Sequence, residues 1–286
     1  MASKPALIAE ALLEDLGIDG IPDLRAVASA LNVGIEEADV ESFDGALVRV
    51  KGSTEGLIAV RQTIRELGKK NFTIAHELGH LLLPGHDEST VCLAGEVETW
   101  DSGLPKQELE ANEFAGELLV PTKSLVKLLS GNAPSFDLIE SLARTFSASL
   151  TATAYRFVEV TTQACAVVWS EQGTPKWFVR SDEFTHWIRL REKLDARTLA
   201  ADCFGGQVIV PNTQEKVAAA AWLTEAVPDD AKILEHTRCV PSYSGALTLL
   251  WLPRPLSSDA WQDDTLTELN SDDFGLHRKT WPWKRR

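Results

Sequence analysis

The chain has 286 residues, of which 44% are hydrophobic and 24% charged, and its formal net charge is −14. This length allows two domains or one large one, and the apolar content is enough for a real core. The acidic balance argues against nonspecific binding to nucleic acid, because attraction to phosphates needs an excess of Lys and Arg. No apolar run is long enough to span a bilayer, and the N-terminus lacks the pattern of a signal peptide. We therefore expect a cytoplasmic protein, without membrane contact, whose four scattered cysteines are reduced thiols.

The first part of the chain predicts two short helices followed by a β-hairpin. Apolar residues recur at helical spacing over residues 5–16, and Asp23 is placed to cap a second helix that ends before Gly34. Strand-like runs at 46–50 and 56–60 flank a turn and predict the hairpin. The edge of such a hairpin could hold an extended substrate chain by strand addition.

The stretch FTIAHELGHLLL at residues 72–83 predicts a buried helix that carries a metal site. His76 and His80 are four residues apart, so their rings project from one face of a helix and could share one Zn²⁺. Glu77 lies beside them as a general base for the attacking water. The other positions are apolar or small, and burying two histidines and a glutamate is costly unless they are paired or bind metal. The alternative interpretation is two hydrogen-bonded core histidines beside a surface glutamate.

A third protein ligand is needed, because a catalytic zinc usually has three protein ligands and one water. Residues 105–120 predict a helix with Pro105 in its first turn, and its positions fall on two stripes. One stripe has alanines that allow close packing, and it consists of Glu108, Ala111, Asn112, Ala115 and Leu119. The other resembles a solvated face, and it consists of Lys106, Glu110, Glu113 and Glu117. We therefore predict Glu108 as the third ligand, Glu110 as the weaker alternative, and Asn112 as a hydrogen-bond partner of a ligand.

The segment between these helices, residues 86–104, is polar and predicts an irregular loop. His86 and Cys92 lie in it, and both are expected to be loop residues rather than ligands. The Cys92 thiolate nevertheless has the chemistry to fill the open zinc position in a latent state. A peptidase also needs a hydrogen-bond donor for the oxyanion that forms during cleavage. The sequence leaves three candidates for this donor, which are His86, Tyr155 and a backbone N–H.

The second half of the chain predicts three more helices and then an α+β domain. The helices fall at 122–129, 135–146 and 149–158. The run 137–149 has helix-turn-helix spacing, but Arg144 and Arg156 are few cations for a DNA reader, so packing is favoured. After Thr161 the chain is rich in tryptophan and has strand-like runs at 164–169, 176–179, 208–210 and 246–252.

The two central motifs together resemble the ImmA/IrrE family of zinc metallopeptidases. Residues 72–80 are similar to its FTLAHELGH motif, and residues 108–121 are similar to its E-x-x-A-N-x-F-A-x-x-L-L-M-P signature. The first glutamate of that signature is the family's third zinc ligand, and it falls on Glu108. The resemblance implies cleavage of helix-turn-helix repressors, which releases stress-response or mobile-element genes. The last domain is more distantly similar to the GAF-like sensor module of some relatives.

The sequence patterns predict an α+β protein with three parts. These are a zincin-like, mainly helical peptidase domain with a small hairpin or sheet at 1–123, a helix-turn-helix-like module at 124–160, and a mixed α+β domain at 161–286. The family resemblance implies that the last domain is GAF-like and sensory. The predicted function is a zinc-dependent, site-specific endopeptidase, with Mn²⁺ as the alternative ion. The resemblance implies a helix-turn-helix repressor as the partner, and the acidic charge balance argues against DNA. The alternative is a DNA-binding or ligand-sensing regulator with a structural metal site, based on the helix-turn-helix-like runs, the last domain and the basic tail at 277–286.

Overall fold

The computed structural model describes residues 3–49, 55–86, 90–93, 104–129, 132–205, 213–254 and 256. Its helices are α1 (Lys4–Asp15), α2 (Leu24–Ala30), α3 (Leu67–Leu82), α4 (Lys106–Leu119), α5 (Thr122–Leu129), α6 (Phe136–Phe146), α7 (Leu150–Val160) and α8 (Leu199–Gly205). Its strands are β1 (Val33–Ala38), β2 (Phe43–Arg49), β3 (Gly56–Arg61), β4 (Thr90–Leu93), β5 (Cys165–Glu171), β6 (Thr174–Arg180), β7 (Glu215–Ala218), β8 (Lys232–Val240) and β9 (Gly245–Trp251). None of the helices in these ranges is long and apolar enough to cross a membrane.

The chain forms two compact units, and helices and sheets occur together in the fold, so the α+β prediction is confirmed. The described part of the first unit lies within residues 1–127 and 141–156, and that of the second within 128–140 and 157–279. The predicted three-part division stays a prediction, as do the zincin-like and GAF-like assignments. The strand predicted at 208–210 and the basic tail lie outside the described residues.

The sheet of the first unit has the strand order β1-β3-β2-β4. Strands β2 and β3 are antiparallel neighbours, as the predicted hairpin requires. Strand β1 pairs in parallel with β3, and β4 pairs antiparallel with β2. Both hairpin strands are therefore paired on each side, so the prediction that this hairpin offers its edge to a substrate is wrong. The edges of the described sheet are β1 and β4.

Helix α3 is the centre of the first unit, and its burial explains its composition. It contacts β2 and β3 on the sheet side and α4 on another. Phe72, Ala75 and Leu78 are fully buried in these contacts. Helix α1 packs on α4, and α2 packs on β1. The side chain of Asp23 accepts hydrogen bonds from the N–H groups of the first turn of α2, as the sequence predicted.

One face of α4 differs from its prediction. Glu117 was assigned to a solvated stripe, yet it is buried and forms an ion pair with Arg156 of α7. The N–H and hydroxyl of Thr122 also donate to its carboxylate, at 2.9 and 2.8 Å. The assignment fails because the side chain of Arg156 reaches this end of α4 from a distant part of the sequence, which the helical period of α4 alone does not reveal. Arg156 is thereby used inside the fold, as the packing interpretation of the helical module predicts.

The second unit contains an antiparallel sheet with the strand order β6-β5-β9-β8-β7. The predicted hairpin appears as β5 and β6, and the last predicted strand as β9. Helix α8 packs against β8 and β9. The core between these elements includes Phe184, Trp222, Ile233 and Leu250, each almost fully buried.

A disulfide joins Cys203 of α8 to Cys239 of β8. The expectation of four reduced thiols is therefore wrong for this pair. The two cysteines are 36 residues apart in sequence, and it is the packing of α8 on β8 that brings them together. Cys92 and Cys165 lie outside the bridge, and both are buried.

A buried carboxylate on β8, that of Glu235, ties α8 to the sheet. The N–H of Ala200 and the hydroxyl of Thr237 donate to its Oε1 at 2.8 and 3.0 Å. The indole N–H of Trp222 donates to its Oε2 at 2.9 Å. Burial raises the pKa of Glu235 from 4.5 to about 7, against the lowering effect of these hydrogen bonds.

We expect Glu235 to make the stability of the second unit depend on pH. Between pH 4.5 and 7 the unfolded chain releases the proton that the native state keeps, so stability present below pH 4.5 is lost as the pH rises through 7. The loss is at most ~1.4 kcal/mol per pH unit. Glu235→Gln cannot ionise, so its urea midpoint, followed by tryptophan fluorescence, should fall less over this range than that of the wild type. Equal pH dependence in the two proteins would contradict the raised pKa.

Candidate metal centre

Helices α3 and α4 approach each other closely at two small residues, Gly79 and Ala111. A Cβ built on Gly79 would lie 3.2 Å from the Cα of Ala111 and 3.2 Å from Cδ1 of Phe114. Gly79 immediately precedes His80, and Ala111 lies between Glu108 and Asn112 in sequence. The absence of a side chain at position 79 therefore lets the polar groups of both helices meet.

The three predicted ligands come together at this contact. Nε2 of His76 lies 3.1 Å from Nε2 of His80 and 3.1 Å from Oε2 of Glu108. Nε2 of His80 lies 3.5 Å from Oε1 of Glu108. Both histidines are buried, whereas the Glu108 side chain is 15% exposed. The glutamate therefore closes the cluster on its more accessible side.

Asn112 fixes the ring of His76, as predicted for a hydrogen-bond partner. Its Oδ1 lies 2.9 Å from Nδ1 of His76. With the proton on Nδ1 donated to this oxygen, a neutral His76 presents the lone pair of Nε2 to the cluster.

His86 fixes the ring of His80 in the same way. Gly85 has φ +88°, a left-handed conformation that glycine adopts readily, and it turns the chain back after α3. Nδ1 of His86 then lies 3.0 Å from Nδ1 of His80, and its Nε2 lies 3.3 Å from Oε2 of Glu110. Lys106 donates to the other oxygen of Glu110 at 2.8 Å. If Nδ1–H of His80 donates to His86 and Nε2–H of His86 donates to Glu110, the Nε2 lone pair of His80 also faces the cluster.

His86 lies outside the helices and strands and outside the donor set, as expected for a loop residue rather than a ligand. Both its nitrogens have partners, so it is not oriented to stabilise an oxyanion. Glu110 contacts His86 rather than the cluster, so its place is outside the donor set. The Lys106 hydrogen bond lowers the pKa of Glu110, which keeps this carboxylate ionised as an acceptor.

The donor set fits a zinc ion. With bonds of about 2.0–2.2 Å, tetrahedrally placed nitrogen and oxygen ligands lie roughly 3.3–3.5 Å apart, close to the spacings found here. Two imidazole lone pairs and a carboxylate that face one another repel. This buried arrangement is therefore favourable only when a proton or a cation lies between them. When the cluster holds protons on Nε2 of the histidines instead of a cation, burial acts to raise the pKa of Glu108, but hydrogen bonds from His76 and His80 outweigh it and hold that pKa well below its ordinary value.

Glu77 follows His76 in α3, and its side chain lies between this helix and strand β2. It is fully buried, and a Cβ built on Gly45 of β2 would lie 2.6 Å from its Oε1. The same Cβ would lie 2.5 Å from Cγ2 of Thr73, so position 45 has no room for a side chain. The sheet therefore forms a close wall against the predicted general base.

Cys92 reaches the cluster from strand β4. Its Sγ lies 3.3 Å from Nε2 of His76 and 3.6 Å from Nε2 of His80. The potential ligand atoms of the two histidines, Cys92 and Glu108 all lie within 4.8 Å of one another. The expectation that Cys92 is a loop residue is wrong, because the pairing of β4 with β2 buries it. The run TVCL is the only local signal, and four residues are too few to predict a strand.

A separate cavity of about 400 Å³ lies in the second unit. Three cations, Arg189, Lys193 and Arg197, line it together with Glu192 and Asp195. Arg197 already pairs with Asp195 at 2.6 Å. The mixed charge of the lining does not define one ligand class.

Two histidines one helical turn apart and a carboxylate from a second helix, with a glutamate next in sequence to the first histidine, are the residue types that metal-dependent hydrolases use. Residues 28–158, just under half of the chain, match the peptidase M78 family, described as the IrrE N-terminal-like domain. The resemblance to the ImmA/IrrE family is therefore confirmed over this segment, and the family match supports a metallopeptidase.

The fold is also similar to the solved structure of a Mycobacterium tuberculosis transcriptional regulator. The TM-score is 0.55 at 14% sequence identity, and the alignment covers 86% of this chain and 75% of that chain. At this identity the likeness concerns the fold alone. No curated protein matches the sequence.

We expect His86→Ala to bind zinc about 10–100-fold more weakly than the wild type, because His80 loses the partner that orients its ring. His186→Ala is the matched control, since His186 lies in the second unit and contacts Glu225. Competition with a chromogenic chelator measures both affinities. Equal affinities in the wild type and His86→Ala would show that His86 does not position His80.

Proposed function

We propose that the chain is a zinc-dependent, site-specific endopeptidase, in which His76, His80 and Glu108 hold the ion and Glu77 is the general base. The observation that carries the proposal is the convergence of two imidazole nitrogens and a carboxylate within 3.5 Å, beside the buried Glu77. The family match supports the metallopeptidase class. Mn²⁺ is the alternative ion, since imidazole and carboxylate ligands also accept it.

The residues around the proposed zinc site have separate roles in peptide hydrolysis. A zinc ion held there would supply a Lewis acid for the attacking water and the scissile carbonyl. Glu77 accepts the proton of the attacking water and returns it to the leaving amine. Asn112 and His86 keep the rings of His76 and His80 oriented while this proton moves.

Strand β4 is the better candidate to hold the substrate. In the described sheet β4 is an edge strand, whereas β2 is covered by β3 and β4. An extended peptide added to β4 would run past Cys92 and therefore past the cluster. This assignment replaces the hairpin of the sequence interpretation.

The substrate we infer is a cytoplasmic helix-turn-helix repressor, cut once in its linker or dimerisation region. Its cleavage would release stress-response or mobile-element genes. The family resemblance supports this substrate class, and the second unit supports selectivity because a general peptidase has little use for it. Proteolysis needs a segment that can open into an extended strand, which favours such regions of the target.

A regulator with a structural metal is the competing proposal, and one observation favours it. Cys92 brings the cluster to four protein donors, the number that structural zinc sites use. Direct DNA binding has less support, because the chain carries a net charge of −14 and Arg156 is buried against Glu117. A structural site does not need Glu77, so a Glu77 variant separates the two proposals.

We expect Glu108→Ala to lose stoichiometric zinc after dialysis, because the cluster then lacks its one carboxylate ligand. Glu110→Ala should keep the ion with reduced affinity, since Glu110 reaches the cluster only through His86. Elemental analysis of both proteins measures the ratio of zinc to chain. Zinc lost from Glu110→Ala but kept by Glu108→Ala would reverse the assignment.

We expect Glu77→Gln to keep its zinc and its fold but to lose roughly 10²–10⁴-fold in cleavage rate, because an amide cannot accept the proton. Glu36→Gln on the exposed side of β1 is the matched control and should cleave like the wild type. The assay incubates each protein and Zn²⁺ with helix-turn-helix repressors from the same genome, followed by intact mass.

Activity of Glu77→Gln within a few-fold of the wild type would remove Glu77 from the mechanism. Degradation of unfolded casein into many fragments, with every repressor left whole, would contradict the selective cleavage of a repressor.

A further inference from the structure

The cluster contains one donor more than the proposed endopeptidase needs. Sγ of Cys92 lies 3.3 Å from Nε2 of His76 and 3.6 Å from Nε2 of His80. One thiol proton can be donated to only one of these nitrogens at a time. A shared cation would satisfy both contacts together.

The sulfur–nitrogen spacings fit a common zinc ion. With a zinc–sulfur bond of ~2.3 Å and zinc–nitrogen bonds of ~2.0–2.1 Å, tetrahedrally placed sulfur and nitrogen atoms lie roughly 3.5–3.6 Å apart. The two observed spacings, 3.3 and 3.6 Å, are close to this value. Thiolate sulfur is also one of the ligands that zinc prefers in proteins.

The sheet fixes Cys92 in this position. Cys92 pairs with Gly45 of β2, and the register of β2 against β4 shifts just before Gly45, which leaves Asp44 as the extra residue of a bulge. Asp44 is fully buried and forms an ion pair with Arg61. The bulge and its buried ion pair therefore determine which residue of β4 meets the histidines.

Cys165 shows the contrasting case of a buried thiol away from metal-type donors. It lies on β5 of the second unit, and burial raises the pKa of its thiol. It is absent from the cluster of potential ligands found among the described residues. Its substitution is therefore a control for loss of a buried thiol as such.

We propose that the Cys92 thiolate is the fourth protein ligand of the metal and closes the centre. This role rests on the proposed function, because it needs the ion held by His76, His80 and Glu108. A catalytic zinc keeps one position open, whereas four protein ligands fill a tetrahedral site. The resting protein is therefore latent, and Cys92 has to leave the cluster before a peptide is cut.

The test replaces zinc with Co²⁺ in the full-length protein and reads its absorption spectrum. A thiolate ligand gives cobalt a sulfur-to-metal charge-transfer band in the near ultraviolet, which imidazole and carboxylate ligands do not give. We expect this band in the wild type and in Cys165→Ala, and its loss from Cys92→Ala with cobalt still bound. Azide should change the visible cobalt spectrum of Cys92→Ala, which has an open position, and leave that of the wild type unchanged.

Two outcomes would overturn the role of Cys92 and leave the proposed peptidase standing. One is a wild-type cobalt protein without the charge-transfer band, and the other is an equal response to azide in the wild type and Cys92→Ala. The wild-type spectrum decides the first even if Cys92→Ala does not fold, and Cys92→Ser is the second variant for the azide experiment. A wild type that binds no stoichiometric cobalt or zinc would instead overturn the proposed metal centre, and the role of Cys92 with it.

Discussion

The close contact of α3 with α4 at Gly79 and Ala111 is the constraint on which the rest of the first unit depends. Metal–ligand bonds tolerate deviations of only about 0.2 Å, so the distance between the helices has to be fixed by something stiffer than the side chains. The direct backbone contact between α3 and α4 provides that stiffness. Because α3 also lies on β2 and β3, it cannot move away from α4 without disturbing the sheet.

The sheet contributes to the centre as well as supporting it. Its strand β2 presents Gly45 to the carboxylate of Glu77, and its strand β4 presents Cys92 to the histidines. These two residues are partners in the ladder, so one register sets both contacts. A slip of β4 by one residue would turn Cys92 to the opposite face of the sheet. The buried ion pair of Asp44 at the bulge opposes such a slip.

The part of the site that could be predicted from the sequence is the part encoded by helical periodicity. Spacing alone puts His76 and His80 on one face, and the stripes of α4 separate Glu108 and Asn112 from Glu110. His86 and Cys92 could not be placed in this way. The position of His86 depends on the turn at Gly85, and that of Cys92 depends on pairing with a strand more than 40 residues away in sequence.

The same limit applies to the fold. Helices α1–α7 and the hairpins β2–β3 and β5–β6 have local patterns, and they appear at the predicted places, whereas α8 and β8 have no counterpart among the predicted elements. Strand β1, with its two consecutive glutamates, and the four-residue β4 are stabilised by their neighbours and carry no clear alternation of their own. Glu117 was misassigned for the same reason, since the partner that buries it, Arg156, comes from a distant helix.

The cysteines of this chain are in two oxidation states. The bridge between Cys203 and Cys239 is oxidised, whereas a metal-binding Cys92 must stay a thiolate. Thiol–disulfide exchange requires one sulfur to reach another, and Cys92 is fully buried. Burial therefore lets Cys92 stay reduced while the Cys203–Cys239 bridge stays oxidised under the same redox conditions. A small dithiol that enters the fold would disturb both at once, because it can reduce the bridge and, as a soft ligand, compete for the ion.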